Sequence, residues 1–138
     1  MYGRDGLLRA TPGAVGVDLR SCAEREEPIP PGERRLIGTG IAIEPMAPGI
    51  AGFVYSRSGL GGLTGIVVAQ GVGVIDPDYR GEIRVPLLNT GREVYMVHPG
   101  ERIAQLVFQP FCRPVFREVA RLGGTKRGSG GFGHTGRK

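Results

Sequence analysis

The sequence predicts an all-β domain, a distorted jelly roll or β-barrel with at most one short helix, and three observations support this. Roughly ten short segments with a strand pattern follow one another along the chain. Turn residues separate them, since the 138 residues include 25 glycines and 11 prolines. No segment has the spacing of a βαβ unit. A chain of this length is expected to form one domain with enough core to need no disulfide framework.

Strands and loops alternate in the first part of the chain. Residues 14–21 predict a strand in which Asp18 stands among apolar neighbours. A carboxylate there is costly unless it is paired or faces a cation, and the alternative is an edge-strand residue that points to water. Residues 24–33 are polar and Pro-rich and predict a loop. Residues 36–44 and 50–55 predict two strands separated by a turn.

A candidate anion site and the one predicted helix share residues 55–63. Arg57 is flanked there by hydroxyl groups and glycines. A guanidinium fork matches phosphate, and glycines let backbone N–H groups approach it. Leu60 and Leu63 have the spacing of one face of a helical turn. A capped surface turn is the alternative.

The segment from Gly73 to Gly81 combines two carboxylates, a phenol and a guanidinium. Residues 65–71 predict a buried strand that leads into it, and Asp76-Pro77-Asp78 is typical of a turn. A β-hairpin with a rigid polar tip is therefore expected. Rigid loops on a β scaffold often carry catalytic groups. The alternative is a hairpin whose acids only solvate the turn.

Four more strands are predicted in the second part of the chain. Residues 83–87 alternate apolar and polar positions, and Pro86 would place this strand at an edge or a bulge. The other three are residues 94–97, 102–109 and 115–122. Gln105 belongs to a strand with two apolar faces, so it is expected to be buried and to need a partner, for which a backbone group is one candidate.

The excess positive charge is concentrated at the C-terminus. The net charge is +5, and residues 123–138 hold Lys126, Arg127, Arg137 and Lys138 but no acid. This disfavours a nucleic-acid binder with a basic surface. Because the segment is Gly-rich, we expect a domain of residues 1–122 and a flexible arm of residues 123–138. The arm contains a G-x-G-x-x-G pattern, but a dinucleotide site needs a strand before it and a helix after it. A frayed end is the alternative to a functional strap.

Cysteine and histidine positions give no metal-binding pattern. Cys22 and Cys112 are far apart in the sequence, and His98 and His134 are isolated, so no zinc site is predicted. No apolar run is long enough to span a membrane. We therefore expect a soluble protein with free thiols in a reducing compartment, the cytoplasm.

Five segments, in this order, resemble the five motifs of the dUTPase family, a family of trimeric all-β enzymes. They are residues 14–21, 57–60, 73–82, 100–106 and 127–136. Five ordered motifs are far more specific than any one of them. The resemblance implies hydrolysis of Mg²⁺-bound dUTP to dUMP and pyrophosphate, which limits uracil incorporation into DNA and supplies dUMP for thymidylate synthesis. It also implies a homotrimer with sites shared between subunits.

The resemblance also implies roles for individual residues. Asp76 would be the base that activates the attacking water, and Asp18 would hold the hydration shell of Mg²⁺. Tyr79 would pack on the deoxyribose and leave no room for a 2′-hydroxyl. Backbone groups around Gly71 and Gly73 would read uracil. The implied substrate-binding residues are Arg57, Ser58, Gly59, Gln70, Gly73, Val74, Ile75, Tyr79, Gln105, Arg127, Phe132 and Gly133.

Within that set, the phosphates and the base have separate partners. Arg57, Ser58 and Gln105 would bind phosphate oxygens. Arg127 would reach the γ-phosphate, and Phe132 would stack on uracil as the arm closes and excludes water.

Other functions stay open beside this one. The nearest is dCTP deaminase, a relative of the same fold, which needs an acid at the position of Pro86. A non-catalytic nucleotide sensor and nucleic-acid binding through the arm are the others. The chain also departs from the family pattern at Gln70, where Asn is frequent beside the pyrimidine, and at His134, where many members have Ser.

Overall fold

A computed structural model describes Leu7, residues 9–131 and His134. The described residues form nine strands and one helix. In chain order these are β1 (Val17–Arg20), β2 (Glu27–Ile29), β3 (Arg34–Gly38), β4 (Ile50–Tyr55), α1 (Ser58–Thr64), β5 (Ile66–Val68), β6 (Val72–Ile75), β7 (Arg84–Asn89), β8 (Tyr95–Val97) and β9 (Arg102–Pro110). The prediction of an all-β protein with one short helix is confirmed.

Three antiparallel sheets make up the domain. One has the strand order β1-β9-β4-β6, the second β3-β7-β5, and the third pairs β2 with β8. In the first sheet Gln105 of β9 lies opposite Asp18 on one side and Tyr55 on the other. Residues directly opposite each other in a ladder share a face, so this sheet brings all three side chains to one surface.

The core lies between the sheets and is built from aliphatic side chains of every sheet. Leu19, Ile29, Ile66, Leu87 and Ile103 are at most 1% exposed. Burying one such side chain stabilises the fold by roughly 1.5–3 kcal/mol. Buried polar groups are paired: Nδ2 of Asn89 donates to the carbonyls of Ile29 and Glu93 at 2.7 and 2.8 Å.

The predicted loop at residues 24–33 is partly wrong, because β2 lies inside it. Ile29 is fully buried, and Pro28 lies opposite Met96 of β8. Proline lacks an N–H group and is tolerated in edge strands. Because β2 pairs only with β8 in the described part of the chain, Pro28 interrupts no ladder.

The strand predicted over residues 36–44 is shorter and begins earlier, since β3 ends at Gly38. Gly40 has a positive φ of 68°, which turns the chain out of the extended conformation. Ile41 and Ile43 still pack against the core. Their apolar spacing therefore reflects packing against the core and not a strand conformation.

The segment around Asp76 does not close the predicted hairpin. β6 pairs with β4, whereas β7 pairs with β3 and β5. Residues 76–83 therefore cross from one sheet to another. Local sequence predicts a turn correctly but cannot say which strands pair across it, because pairing depends on distant segments.

Pro86 was predicted at an edge or a bulge, and this is wrong because β7 is the central strand of its sheet. In an antiparallel ladder the N and O of one residue point to the same side. The carbonyl of Pro86 accepts a hydrogen bond from the N–H of Ala69 at 2.8 Å, just beyond the last paired residue of β5. The missing N–H of Pro86 therefore faces the end of β5, where the ladder has stopped.

The last predicted strand is wrong for lack of a packing partner in the described part of the chain. Residues 115–122 are not a strand, and Val115, Phe116 and Leu122 are 96%, 90% and 82% exposed. The helix predicted within residues 55–63 is confirmed as α1, in which Leu60 is buried and Leu63 is 88% exposed. Helical spacing alone does not tell which of two leucines meets the core.

Candidate active site

A cavity of about 410 Å³ lies where β6 runs into the crossing segment. Its lining includes six of the predicted site residues, namely Gln70, Gly73, Val74, Ile75, Asp76 and Tyr79. Leu36, Val54, Glu82, Ile83, Arg84 and Pro86 complete the wall. Residues 70–79, which are close in the sequence, thus form one concave surface together with residues of strands β3, β4 and β7.

Asp76 is held at the mouth of this cavity by a tight turn. The N–H of Tyr79 donates to the carbonyl of Asp76 at 3.1 Å, and Pro77 occupies the position of the turn where a fixed φ is favoured. The side chain of Asp76 is exposed. A carboxylate in this position is accessible to water and can accept a hydrogen bond from it.

Tyr79 is folded back over the chain that follows it. Its hydroxyl donates to the carbonyl of Glu82 at 2.9 Å. A Cβ atom at Gly81 would lie 3.0 Å from Cε2 of the Tyr79 ring and closer still to Cζ and the hydroxyl oxygen. Only glycine lets the ring lie against the backbone here, so Gly81 sets the orientation of Tyr79.

The backbone of β6 forms a bare patch in the cavity wall. Gly73 is buried, and a Cβ there would lie 3.2 Å from Cβ of Val54 and 3.3 Å from Nε2 of Gln70. The neighbouring Gly71 has a positive φ of 79°, which favours glycine. Because Gly73 has no side chain, a ligand can approach its backbone closely, and the Gln70 amide lies beside it.

A second cavity of about 560 Å³ lies on the first sheet, at the start of α1. Its lining includes five predicted site residues, Asp18, Arg57, Ser58, Gly59 and Gln105. The β1-β9-β4 register brings together these residues, which are far apart in the sequence.

The Asp18 carboxylate in this cavity is paired with two arginines. Its Oδ1 accepts a hydrogen bond from Nε of Arg57 at 3.1 Å, and its Oδ2 accepts one from Nη1 of Arg102 at 3.2 Å. Nη1 of Arg57 also donates to the carbonyl of Arg102 at 3.1 Å. Asp18 therefore does not point freely to water, and the pairing offsets the cost of burying it.

Arg102 is a site residue that the sequence did not reveal. It lies inside the fourth motif, at the start of the strand predicted over residues 102–109. Its guanidinium side chain is 42% exposed. The available signal was the isolated Asp18, which needed a cation, but nothing in the linear sequence says that β9 supplies it.

Gln105 is half-buried rather than buried, and its amide has the backbone partner that was one of the candidates. Nε2 donates to the carbonyl of Ser56 at 3.0 Å. A Cβ at Gly16 would lie 2.6 Å from Oε1 of Gln105. Glycine at this position leaves room for the glutamine side chain on the face of β1.

The remaining predicted residues lie in the arm. Nε of Arg127 donates to the carbonyl of Gly130 at 2.9 Å, in an exposed turn, and Arg127 lines neither cavity. Phe132 and Gly133 lie outside the described residues.

The dUTPase family model matches residues 5–136, nearly the whole chain. The chain belongs to the dUTPase family. It is 50% identical over 127 residues to the deoxyuridine 5′-triphosphate nucleotidohydrolase of Desulfitobacterium hafniense, which covers 92% of this chain and 84% of that relative. It is 46% identical over 129 residues to the protein of the same name from an Enterobacter species, with 94% and 85% covered.

Solved structures of the dUTPase family share the fold. The dUTPase of Staphylococcus bacteriophage 80alpha, in complex with dUPNHPP, matches with a TM-score of 0.84 at 25% identity, over 99% of this chain and 95% of that chain. Family membership confirms the resemblance drawn from the five motifs, and the protein is an enzyme of this family.

The described residues suit a metal carried by a substrate better than one held by protein ligands alone. No group of three or more His, Cys, Asp or Glu side chains gathers among them. Mg²⁺ keeps several waters and often needs only one or two carboxylates beside substrate phosphates. Asp18 can fill that role, because each carboxylate oxygen retains a lone pair beside its arginine contact.

Within the described part of the chain, no helix is long and apolar enough to cross a membrane.

Proposed function

We propose that this dUTPase-family protein hydrolyses Mg²⁺-bound dUTP to dUMP and pyrophosphate. The observation that carries the proposal is the first cavity, where Asp76, Tyr79 and the bare backbone of Gly73 share one wall. A carboxylate, an aromatic ring and a backbone segment without a side chain are suited to a water, a sugar and a pyrimidine.

The proposed reaction uses Asp76 as the general base. Asp76 accepts a proton from a water, whose oxygen attacks the α-phosphorus. The bond from that phosphorus to the oxygen bridging the α- and β-phosphates breaks, and this oxygen leaves with pyrophosphate. Arg57, Ser58 and Gln105 stabilise the charge on the phosphate oxygens. A carboxylate base of this kind contributes about 10²–10⁴-fold to the rate.

Mg²⁺ would supply charge neutralisation along the triphosphate. Asp18 would hold waters of its hydration shell. The two arginines beside Asp18 hold its carboxylate in place when no substrate is present.

We also propose a homotrimer with sites shared between subunits. The two cavities of one chain have no lining residue in common, so a complete site would combine the base cavity of one subunit with the phosphate cavity of another. Val115, Phe116 and Leu122 are more than four-fifths exposed. An apolar segment of this kind is expected to be covered in an assembly.

The arm of residues 123–138 is proposed to close over the bound nucleotide. In this proposal Arg127 reaches the γ-phosphate, while Phe132 and Gly133 cover the base. The free thiols of Cys22 and Cys112 support a reducing, cytoplasmic location. There the reaction would limit uracil incorporation into DNA and supply dUMP.

The deciding experiment measures pyrophosphate release with Mg²⁺ across dUTP, dTTP, dCTP and UTP. The proposal expects release from dUTP and little from the others. Ammonia release from dCTP would indicate a deaminase, although Pro86 has no proton to move. Binding of dUTP without pyrophosphate release would indicate a sensor, and salt-dependent DNA binding would indicate a nucleic-acid function.

A further inference from the structure

Glu82 lies near the end of the crossing segment and contacts both Tyr79 and the residues that follow β3. Its carbonyl accepts the hydrogen bond from the Tyr79 hydroxyl at 2.9 Å. Its side chain lines the first cavity and also a neighbouring cavity of about 320 Å³. Glu82 thus lies in the wall between the two.

The carboxylate of Glu82 is fixed to the chain that leaves β3. Oε1 accepts a hydrogen bond from the N–H of Gly40 at 2.7 Å and lies 3.7 Å from Sγ of Cys22. Next to it, the hydroxyl of Thr39 donates to the carbonyl of Ile83 at 2.6 Å. The position of the Glu82 backbone is therefore tied to the turn at residues 39–40.

Space around the carboxylate is limited. A Cβ atom at Gly38 would lie 2.8 Å from Oε1 of Glu82 and 2.9 Å from Sγ of Cys22. The glycine at the end of β3 leaves the gap that the carboxylate fills. A methyl group added there would push the Glu82 side chain away from Gly40 without removing it.

These contacts link the residues that follow β3 to the phenol ring of Tyr79. Gly40 fixes the carboxylate of Glu82, the carbonyl of Glu82 fixes the hydroxyl of Tyr79, and Gly81 leaves room for the ring. We propose that Glu82 is a positioning residue that holds Tyr79 against the sugar and so sets the discrimination between 2′-deoxyribose and ribose. This rests on the proposed function, in which Tyr79 packs on the deoxyribose.

A restraint on Tyr79 matters because the group that the site must reject, the 2′-hydroxyl of ribose, is small. A 2′-hydroxyl is excluded only if the ring cannot move by about the size of an oxygen atom, and a side chain that can tilt rejects it weakly. Tyr79 is 43% exposed, so packing alone does not immobilise it. The hydrogen bond to Glu82 supplies the missing restraint.

The test compares kcat/KM for dUTP and for UTP in matched variants. Glu82→Ala, Tyr79→Phe and Gly38→Ala should each lower the dUTP/UTP ratio by about tenfold, mainly through a gain with UTP. Glu82→Gln keeps an oxygen for the Gly40 N–H and should restore most of the ratio. Glu24→Ala, an exposed acid elsewhere, is the control.

The double variant Tyr79→Phe/Glu82→Ala sharpens the result. Because both changes break one chain of contacts, the double variant should show no larger loss of selectivity than the worse single variant. Additive losses, or a lower melting temperature with an unchanged dUTP/UTP ratio, would overturn the proposal. If wild-type protein releases no pyrophosphate from dUTP, the proposed function fails first. If it does and no variant moves the ratio, the Glu82 proposal alone fails.

Discussion

Oδ1 of Asp18 accepts a hydrogen bond from Nε of Arg57 at 3.1 Å, although the two residues are 39 positions apart. The side chains are 16% and 25% exposed. The residue predicted to meet the metal and the residue predicted to meet phosphate thus hold each other in place. This pairing preorganises the cavity, because neither group needs to be reoriented fully when a substrate arrives.

Replacing Arg102 tests how far this arrangement depends on β9. Arg102→Gln removes one of the two cations that contact Asp18. Arg102→Lys keeps the charge but loses the planar guanidinium group and its paired donors. The bond is partly exposed, so a loss of about 1 kcal/mol is expected, or roughly fivefold in KM for Mg-dUTP. Steady-state kinetics will measure it, with Arg92→Gln as an exposed control. An unchanged KM in Arg102→Gln would show that Arg57 alone orients Asp18.

The base role of Asp76 gives the sharpest kinetic prediction. Asp76→Asn keeps the shape of the turn but cannot accept the proton, so kcat should fall by about 10²–10⁴-fold. The affinity for a non-hydrolysable dUTP analogue, measured by calorimetry, should stay within a few-fold of that of wild type. The Asp78→Asn variant in the same turn serves as the control. Retained turnover in Asp76→Asn would remove Asp76 from the base role.

Gly81 is predicted to affect dUTP binding through the position of the Tyr79 ring and not through its own backbone conformation. Gly81→Ala would collide with the phenol ring, so KM for dUTP should rise while the fold persists. Gly62→Ala is the matched control, because a Cβ there meets nothing within 4 Å and an alanine should stabilise the helix by about 0.5–1 kcal/mol. Equal KM values in the two variants would contradict the assignment.

Deleting the arm from Gly124 onward should separate folding from catalysis. The described residues 124–129 and Gly131 are exposed, so their removal costs little core and the melting temperature should stay within a few degrees. The activity should fall strongly, because closure over the nucleotide is lost. A truncated protein that unfolds would instead make the arm a structural element.

The hydrogen bond from the Gly40 N–H, helped by the Cys22 thiol, lowers the pKa of Glu82 below its usual value of 4.5. A lowered folded-state pKa contributes stability above the unfolded value, and this is lost as pH falls through the folded value. The free energy of unfolding of wild type should therefore exceed that of Glu82→Gln above about pH 5, by less than about 1 kcal/mol because Glu82 is exposed. Urea titrations at pH 7 and pH 3 will measure the difference, which should shrink at the lower pH. A difference that does not change with pH would contradict a stabilising carboxylate.

The half-buried side chains of Tyr95 and Cys22 have pKa values that are shifted by similar contacts. Burial and the neighbouring Glu101 carboxylate raise the pKa of Tyr95, whose hydroxyl donates to that carboxylate. Burial and the charge of Glu82 raise the pKa of Cys22 above 9.0. Both groups therefore stay protonated at neutral pH and act as hydrogen-bond donors.

The sequence by itself determined what depends on local chemistry. Turn residues, alternating apolar positions and five ordered motifs were enough for an all-β enzyme of the dUTPase family, and for eleven of the twenty-four residues that line the two cavities. These features follow from φ restriction at Pro77, glycine conformations and side-chain periodicity, which neighbouring residues fix.

Only the tertiary structure decided the features that need distant partners. It showed that β6 and β7 belong to different sheets, that Pro86 fits a central strand, and that Arg102 completes the pair around Asp18. It also showed that residues 115–122 find no ladder within the described part of the chain. Strand pairing and ion pairing between distant segments depend on which backbones meet in space, and a linear pattern does not carry that information.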